Sequence, residues 1–400
     1  MKKGWQTKQL GELCRFIDYR GKTPEKTASG LRLITAKNVK MGYLQETPME
    51  FVSPESYDSW MTRGIPKMGD VLFTTEAPLA NVAQLNTDEK VVFAQRIIVL
   101  QTNANIVDST FLKYLLLSDV AQDRIVEQGT GATVQGIKAS LLRTIPIEFP
   151  PLPEQQRIVS ILDEAFEGLA TAKANAEKNL QNAHALFESH LQSVFTQRGD
   201  GWVEKPLAEL CDSSRVITYG VIKLGDETAD GVPCLRTSNV RWLRIETDGM
   251  KRIAPSLSSE YSRTILKGGE VLVNVRGTLG GVAVAAPEMA GWNVSREVAV
   301  VPVNSSRVNP AFLSYLIGSG TSQHWLGGVK KGAAYIGINI EDLRLFPVNA
   351  PKMEKQLEVV EHLDKLQEET QRLASLYQRK LAALAALKKS LLHQAFNGEL

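Results

Sequence analysis

Cysteine is scarce in this chain of 400 residues. Cys14, Cys211 and Cys234 are odd in number and form no C-x-x-C pair, which argues against a disulfide framework or a thiolate zinc site and predicts free thiols in a reducing, cytoplasmic compartment. No apolar run approaches the ~20 residues of a membrane span. The opening "MKKGWQTKQLGEL" carries lysines but no apolar stretch, so neither a signal peptide nor a membrane partner is expected. Signatures of catalysis are missing as well. "GKT" at Gly21–Thr23 looks like the end of a phosphate-binding loop, but Phe16 stands where that loop needs a glycine and Pro24 where its helix would begin. "GTLGG" at Gly277–Gly281 lacks the G-x-G-x-x-G spacing of a dinucleotide loop. There is no N/D-P-P-Y/F run of the kind that methylates adenine, and no carboxylate–lysine cluster resembling a nuclease centre. The five histidines, His184, His190, His324, His362 and His393, are scattered. No metal site, catalytic residue or bound cofactor is expected of this chain.

What is present is a repeat. "GWQTKQLGELC" (Gly4–Cys14) matches "GWVEKPLAELC" (Gly201–Cys211), and "GDVLFTTEAPLANVA" (Gly69–Ala83) matches "GEVLVNVRGTLGGVA" (Gly269–Ala283). "FLKYLLLS" (Phe111–Ser118) matches "FLSYLIGS" (Phe312–Ser319), and "GIKASLLRTIPI" (Gly136–Ile147) matches "GINIEDLRLFPV" (Gly337–Val348). Order and an offset near 200 are kept throughout, as an internal duplication requires. Each copy opens with about 150 residues that mix short β-like runs with helical patches and Gly/Pro turns, an α+β pattern whose strand order the irregular alternation does not give.

Each copy closes on a helical stretch. From Glu154 to Phe195 there is no proline and one glycine, Gly168; from Lys355 to Phe396 there is neither. Apolar residues three and four apart predict a stripe on one face, rich in alanine on the first helix and in leucine on the second. Two such helices are expected to pair as an antiparallel coiled coil separating two similar globular domains with pseudo-twofold symmetry. The expected division is 1–150, 151–198, 199–350 and 351–400, globular and helical in turn. Two related but unlike domains on a rigid spacer suit a bipartite target such as DNA half-sites.

Several blocks then become specific. "RGKTP" (Arg20–Pro24), "LFTTEAPLANVA" (Leu72–Ala83), "GATVQGIK" (Gly131–Lys138), "PPLPEQQRIVSILD" (Pro150–Asp163), "YGVIKLGD" (Tyr219–Asp226), "RGTLGGVA" (Arg276–Ala283) and "LLHQAFNGEL" (Leu391–Leu400) resemble the specificity (S) subunit of type I restriction–modification systems, over essentially the whole chain. The second junction departs from the pattern: Pro351, Gln356 and Asp364 match, but "KMEKQLEVV" replaces "LPEQQRIV". The resemblance implies two target recognition domains joined by two long helices, and a double-stranded DNA-binding role in defence against foreign DNA without catalysis. It implies two methyltransferase (M) subunits using S-adenosylmethionine, and restriction (R) subunits using ATP and Mg. The competing expectation is a scaffolding protein that bridges two protein partners through its helices.

Net charge is only +2, but residues 15–40 carry an excess of five positive charges. Base and phosphate contacts need basic, amide and hydroxyl side chains. In the first copy these are densest at Tyr19, Arg20, Lys22 and Thr23; at Lys37, Asn38 and Lys40; and at Thr130, Thr133, Gln135 and Lys138. In the second they are Tyr219 and Lys223; Arg236, Ser238, Asn239 and Arg241; and Lys330, Lys331 and Tyr335. Asn38 and Asn239 could instead hold turns, as asparagine often does. Gln155, Gln156, Arg157 and Gln356 are expected on outer helix faces, where M subunits would dock.

Overall fold

The computed structural model describes residues 4–19, 23–94, 96–131, 135–197, 199, 201–329 and 337–400. These form two compact units, Met1–Glu177 with Gln378–Leu400, and Lys178–Tyr377. Both boundaries fall inside the long helices, Leu152–Thr196 and Met353–Asn397, so each helix gives its two ends to different cores.

In the first unit a four-stranded antiparallel sheet runs in the order Cys14–Asp18, Ile97–Thr102, Val71–Thr75, Leu79–Gln84. Its two faces are both covered. Val71, Phe73, Ile98 and Leu100 point to a helical layer containing Phe111, Leu112, Ile158 and Leu162. Their neighbours Ile17, Leu72, Ala83 and Val99 point to a second sheet built from Glu50–Val52, Leu31–Ile34 and Val91–Phe93. A strand buried on both faces reads as a continuous apolar run, which is why alternation is hard to see in "VLFTT". The short strand Gln6–Gln9 pairs antiparallel with Pro146–Phe149 and ties the two ends of the globular part together.

The second unit repeats this plan. Its four-stranded sheet runs Thr218–Tyr219, Val298–Val301, Val271–Asn274, Val282–Val284, with Val271, Val273 and Ala299 on the helical side and Leu272, Val298 and Val300 on the other. Val203–Pro206 pairs with Pro347–Ala350 as Gln6–Gln9 does with Pro146–Phe149.

The helix ends complete the cores. In the first unit the ring of Phe111 lies 6.4 Å from Trp5 and 5.4 Å from Phe396. In the second, Phe312 lies 5.9 Å from Trp202 and 5.4 Å from Phe195. Within the first unit Ile158, Leu162 and Phe166 of one helix share a core with Phe396, Leu392 and Leu391 of the other, and Lys388 sits over Phe166, so the chains run antiparallel there. Within the second unit Phe187 and Leu191 share a core with Leu363 and Leu366, and His190 meets His362 at 2.9 Å.

The leucine stripe expected on the second helix is corrected in part: Leu363 is buried and Leu366, Leu381, Leu384 and Leu391 are half-buried, but three of its members are not. Leu373, Leu376 and Leu387 are 40%, 49% and 48% exposed, while Thr370 and Ala374 are buried, as are Ala176 and Ala183 on the first helix. Thr370, Ala374, Ala176 and Ala183 thus take inward places, beside the half-buried Leu381 and Leu384.

Gln155 and Gln356 are also corrected, because neither lies on an outer face. Gln155 is fully buried and Gln356 is 1% exposed. The Gln155 carboxamide donates to the carbonyls of Ile106 (3.0 Å) and Pro150 (2.8 Å) and accepts from the Asp108 N–H (2.8 Å). Gln356 accepts from the Asn309 N–H and donates to Pro351, both at 2.9 Å. Asp108 and Asn309 cap the helices Ser109–Leu117 and Pro310–Gly318, so each glutamine locks a long helix to a capped one. Gln155→Leu strands three backbone groups and is expected to cost about 1–3 kcal/mol in urea unfolding. Leucine at the exposed Gln156 is expected to change stability by less than about 0.5 kcal/mol. Equal effects at both positions would refute the lock.

Burial pushes the thiols of Cys14, Cys211 and Cys234 up to about 12, so all three stay protonated and inert at neutral pH.

Candidate functional site

Each unit gathers several loops at one end of its four-stranded sheet. In the first unit the centre is the turn between Val71–Thr75 and Leu79–Gln84. Thr130 and Gly136 exchange backbone hydrogen bonds (2.8 and 3.0 Å), and the Ile137 N–H then reaches Thr75 at 2.9 Å, which draws residues 129–131 and 135–138 onto the turn. Residues 36–40 are tied to the same turn by Asn81, whose amide donates to the Val39 carbonyl at 2.8 Å. Lys37, Thr130, Gln135 and Lys138 are exposed there and Lys40 is half-buried.

The second unit builds the same end with a different donor. The Asn274 amide reaches the Val240 carbonyl at 3.0 Å and Thr278 at 3.0 Å. Asn274 occupies the repeat position of Thr74, and Gly281 that of Asn81, so the clamp comes from the opposite strand. A Cβ at Gly281 would stand 2.2 Å from the Asn274 amide nitrogen and 2.3 Å from the Val240 oxygen, so an asparagine on both strands cannot be housed. The Ile338 N–H donates to Val275 at 2.8 Å, and Arg276 bridges Gly337. The Arg276 guanidinium lies 5.6 Å from the ring centre of Tyr219, so Tyr219 joins the same end. Reading the two copies column by column would have found this Asn exchange in the sequence; composition alone does not.

Asn38 and Asn239 are 1% exposed and hold turns. Asn38 accepts from the Thr35 N–H and hydroxyl, both at 3.0 Å, and donates to Pro48 at 2.9 Å; Asn239 accepts from the Arg236 N–H and donates to Glu246, both at 3.0 Å. Their side chains are spent on the fold rather than offered to a ligand. Tyr19 is likewise corrected: it is 4% exposed, its hydroxyl donates to Gly64 (2.8 Å) and accepts from the Arg63 N–H (2.9 Å), and its ring stacks on Trp60. Arg236 is half-buried with its guanidinium on Gly249 at 2.8 Å. Arg241 pairs with Glu246 at 3.0 Å, and Arg244 shares the same carboxyl, which these two hydrogen bonds hold below the usual carboxylate range. Thr23, Lys223 and Ser238 are exposed. Arg20, Lys22, Thr133, Lys330, Lys331 and Tyr335 lie outside the described residues.

On the helices, Gln156 and Arg157 are exposed, with Arg157 donating to Glu154 (2.8 Å) and to the Leu400 carbonyl (2.7 Å). Among the described residues there is no group of three or more His, Cys, Asp or Glu side chains able to hold a metal, and no helix long and apolar enough to cross a membrane.

Residues 2–180 and 199–378 each match the family model for the type I restriction modification DNA specificity domain. The chain belongs to that family. The specificity-domain repeat therefore coincides with the two structural copies. Among relatives, the chain is 24% identical over 293 residues to the type I restriction enzyme EcoBI specificity subunit of Escherichia coli, a match spanning 68% of this chain and 62% of that relative. It is 22% identical to the EcoKI specificity subunit of Escherichia coli strain K12, spanning 92% and 82%. Among solved structures, the fold is shared with a chain of a type I R-M system (TM-score 0.76, 21% identity, covering 100% of this chain and 99% of that one). It is also shared with the HsdS subunit from Thermoanaerobacter tengcongensis (TM-score 0.59, 21% identity, 100% and 98%).

Proposed function

We propose that this chain is the DNA-reading subunit of a type I restriction–modification complex, in which each copy of the specificity domain reads one part of a split, asymmetric target. The observation that carries the reading is the pairing of a shared frame with unlike loops. The same strands, caps and Tyr–Asp contacts recur in both units (Tyr114 with Asp163, Tyr315 with Asp364), while the loops at the sheet end carry different side chains. One frame with two reading heads suits two unlike half-sites.

Catalysis then belongs to partners: M subunits supplying S-adenosylmethionine chemistry to an adenine, and R subunits using ATP and Mg. Exposed Leu373, Leu376 and Leu387, with Gln156 and Arg157, support a docking role for the helices, since apolar side chains left in water on a helix face are suited to burial by a partner.

A gel-shift titration of the chain assembled with its methyltransferase partner tests the reading. Binding to duplexes carrying the target is expected to be at least ~10³-fold tighter than to scrambled duplexes at physiological salt, and to weaken steeply as salt rises. Equal affinity for all duplexes, or partner binding without DNA binding, would favour the scaffolding role instead.

A further inference from the structure

We infer that Glu76 and Arg276 are base-reading residues of the two halves, one accepting and one donating hydrogen bonds from the same place in the fold. This rests on the DNA-reading function proposed above. The backbone equivalence is close. Thr75 and Val275, the preceding residues, each receive the next loop through their carbonyls, from Ile137 at 2.9 Å and Ile338 at 2.8 Å. Their N–H groups donate to the carbonyls of Arg96 and Glu297, each at 2.8 Å. Glu76 bridges Gly136 as Arg276 bridges Gly337. A side chain on either glycine would press on its partner, since a Cβ would lie 3.2 Å from the Glu76 Cβ and 3.0 Å from the Arg276 Cγ. The two loops thus close on positions 76 and 276 in the same way.

Charge is reversed on this common frame at both matched positions: Glu76 and Arg96 in one half, Arg276 and Glu297 in the other. Glu76 pairs with Arg96, whereas Glu297 pairs with Arg296 at 3.3 Å and Arg276 lies by the Tyr219 ring. This is not one structural ion pair with its signs exchanged, because the bonds to the carbonyls and N–H groups of Thr75 and Val275 are kept while the side chains that follow differ in both charge and partner. Readers of unlike bases on one frame would differ in this way. Each side chain is also steadied while remaining accessible. Arg96 Nε lies 3.1 Å from Glu76 Oε1, with both side chains nearly half exposed, and Arg276 rests over Tyr219. Arg96 holds a left-handed φ of 75°, a conformation that non-glycine residues keep only where the surroundings impose it. Pre-ordering of this kind lowers the entropy lost on contact.

The chemistry follows from donor and acceptor inventories. An ionised carboxylate only accepts, so Glu76 suits the N4 amino group of cytosine or N6 of adenine in the major groove. A guanidinium only donates, and its fork suits O6 and N7 of guanine. The first half-site should therefore hold an amino-bearing base at the position Glu76 reaches, and the second a guanine at the position Arg276 reaches.

The test is mapping of methylated adenines, and competition binding on duplex libraries, with the full chain assembled with its methyltransferase partner. Glu76→Gln is expected to relax one position of one half-site and leave the other half unchanged; Arg276→Ala is expected to relax a guanine in the opposite half. Discrimination at the affected position should fall roughly ten- to a hundredfold. Unchanged base preference at every position would overturn the assignment, with or without a lower melting temperature. So would a loss of binding spread evenly over all sequences, the mark of a phosphate contact or a mere loop pin. Should the unaltered chain direct no sequence-specific methylation or binding, the underlying DNA-reading function fails, and that result is separate from either variant.

Discussion

A chimera in which residues 15–135 are replaced by the matching segment of a relative is expected to recognise a new sequence in one half of its target and the old sequence in the other. The expectation follows from the DNA-reading proposal and from how the cores are divided. The cores of the first unit draw on residues up to Phe166 and on the end of the second helix, from Leu391 onward. Those of the second draw on residues from Phe187 to Leu366. Among the described residues none belongs to both sets, so repacking one leaves the other's loops in place. The replacement leaves intact the Gln6–Gln9 pairing with Pro146–Phe149, and the Gln155 lock asks of the incoming segment only the backbone groups at positions 106 and 108. Methylation mapping reads the result, and a chimera whose target changed in both halves would contradict independent reading.

Phe111→Ala is expected to cost about 3–5 kcal/mol, the range for removing a fully buried phenyl ring from a packed core. Phe111 is inaccessible to solvent and sits between Trp5 and Phe396, so the cavity lies where three distant parts of the chain meet. Phe312→Ala should match it in the second unit, between Trp202 and Phe195. Hydrogen exchange resolved along the chain is the informative measurement. Phe111→Ala should weaken protection in residues 4–177 and 378–400, and Phe312→Ala in residues 178–377. Matching losses in both units from either substitution would show that the cores do not stand alone.

The long helices and the duplication were legible because both write themselves in local rules: absence of proline and glycine, apolar spacing of three and four, and blocks repeating at one offset. Strand order was not, since Val71–Thr75 and Val271–Asn274 are covered on both faces and lose the alternation that marks a half-exposed strand. The site was legible as segments more than as residues. Lys37, Gln135 and Ser238 do stand in water, but Tyr19, Asn38, Asn239, Gln155 and Gln356 are polar side chains turned inward. Nothing in their identity announces this. A buried amide is allowed wherever backbone groups can meet both its ends, and only the folded chain reveals where those groups are. Leu373, Leu376 and Leu387 of the second helix mislead in the opposite sense, being apolar yet left outside.

The first unit is begun first and finished last. Its hydrophobic core holds Leu392, Ala395 and Phe396 beside residues near the start of the chain, whereas Lys178–Tyr377 contains the whole of the second unit. On a ribosome adding about 5–20 residues per second, the second unit can close as soon as Tyr377 has cleared the exit. The earlier-made half must wait with the surface around Phe111 uncovered. Nascent chains held so that Tyr377 has cleared the exit and Leu392 has not should therefore display one closed half and one sticky half, and it is the half nearer the start that chaperones would be called on to shield.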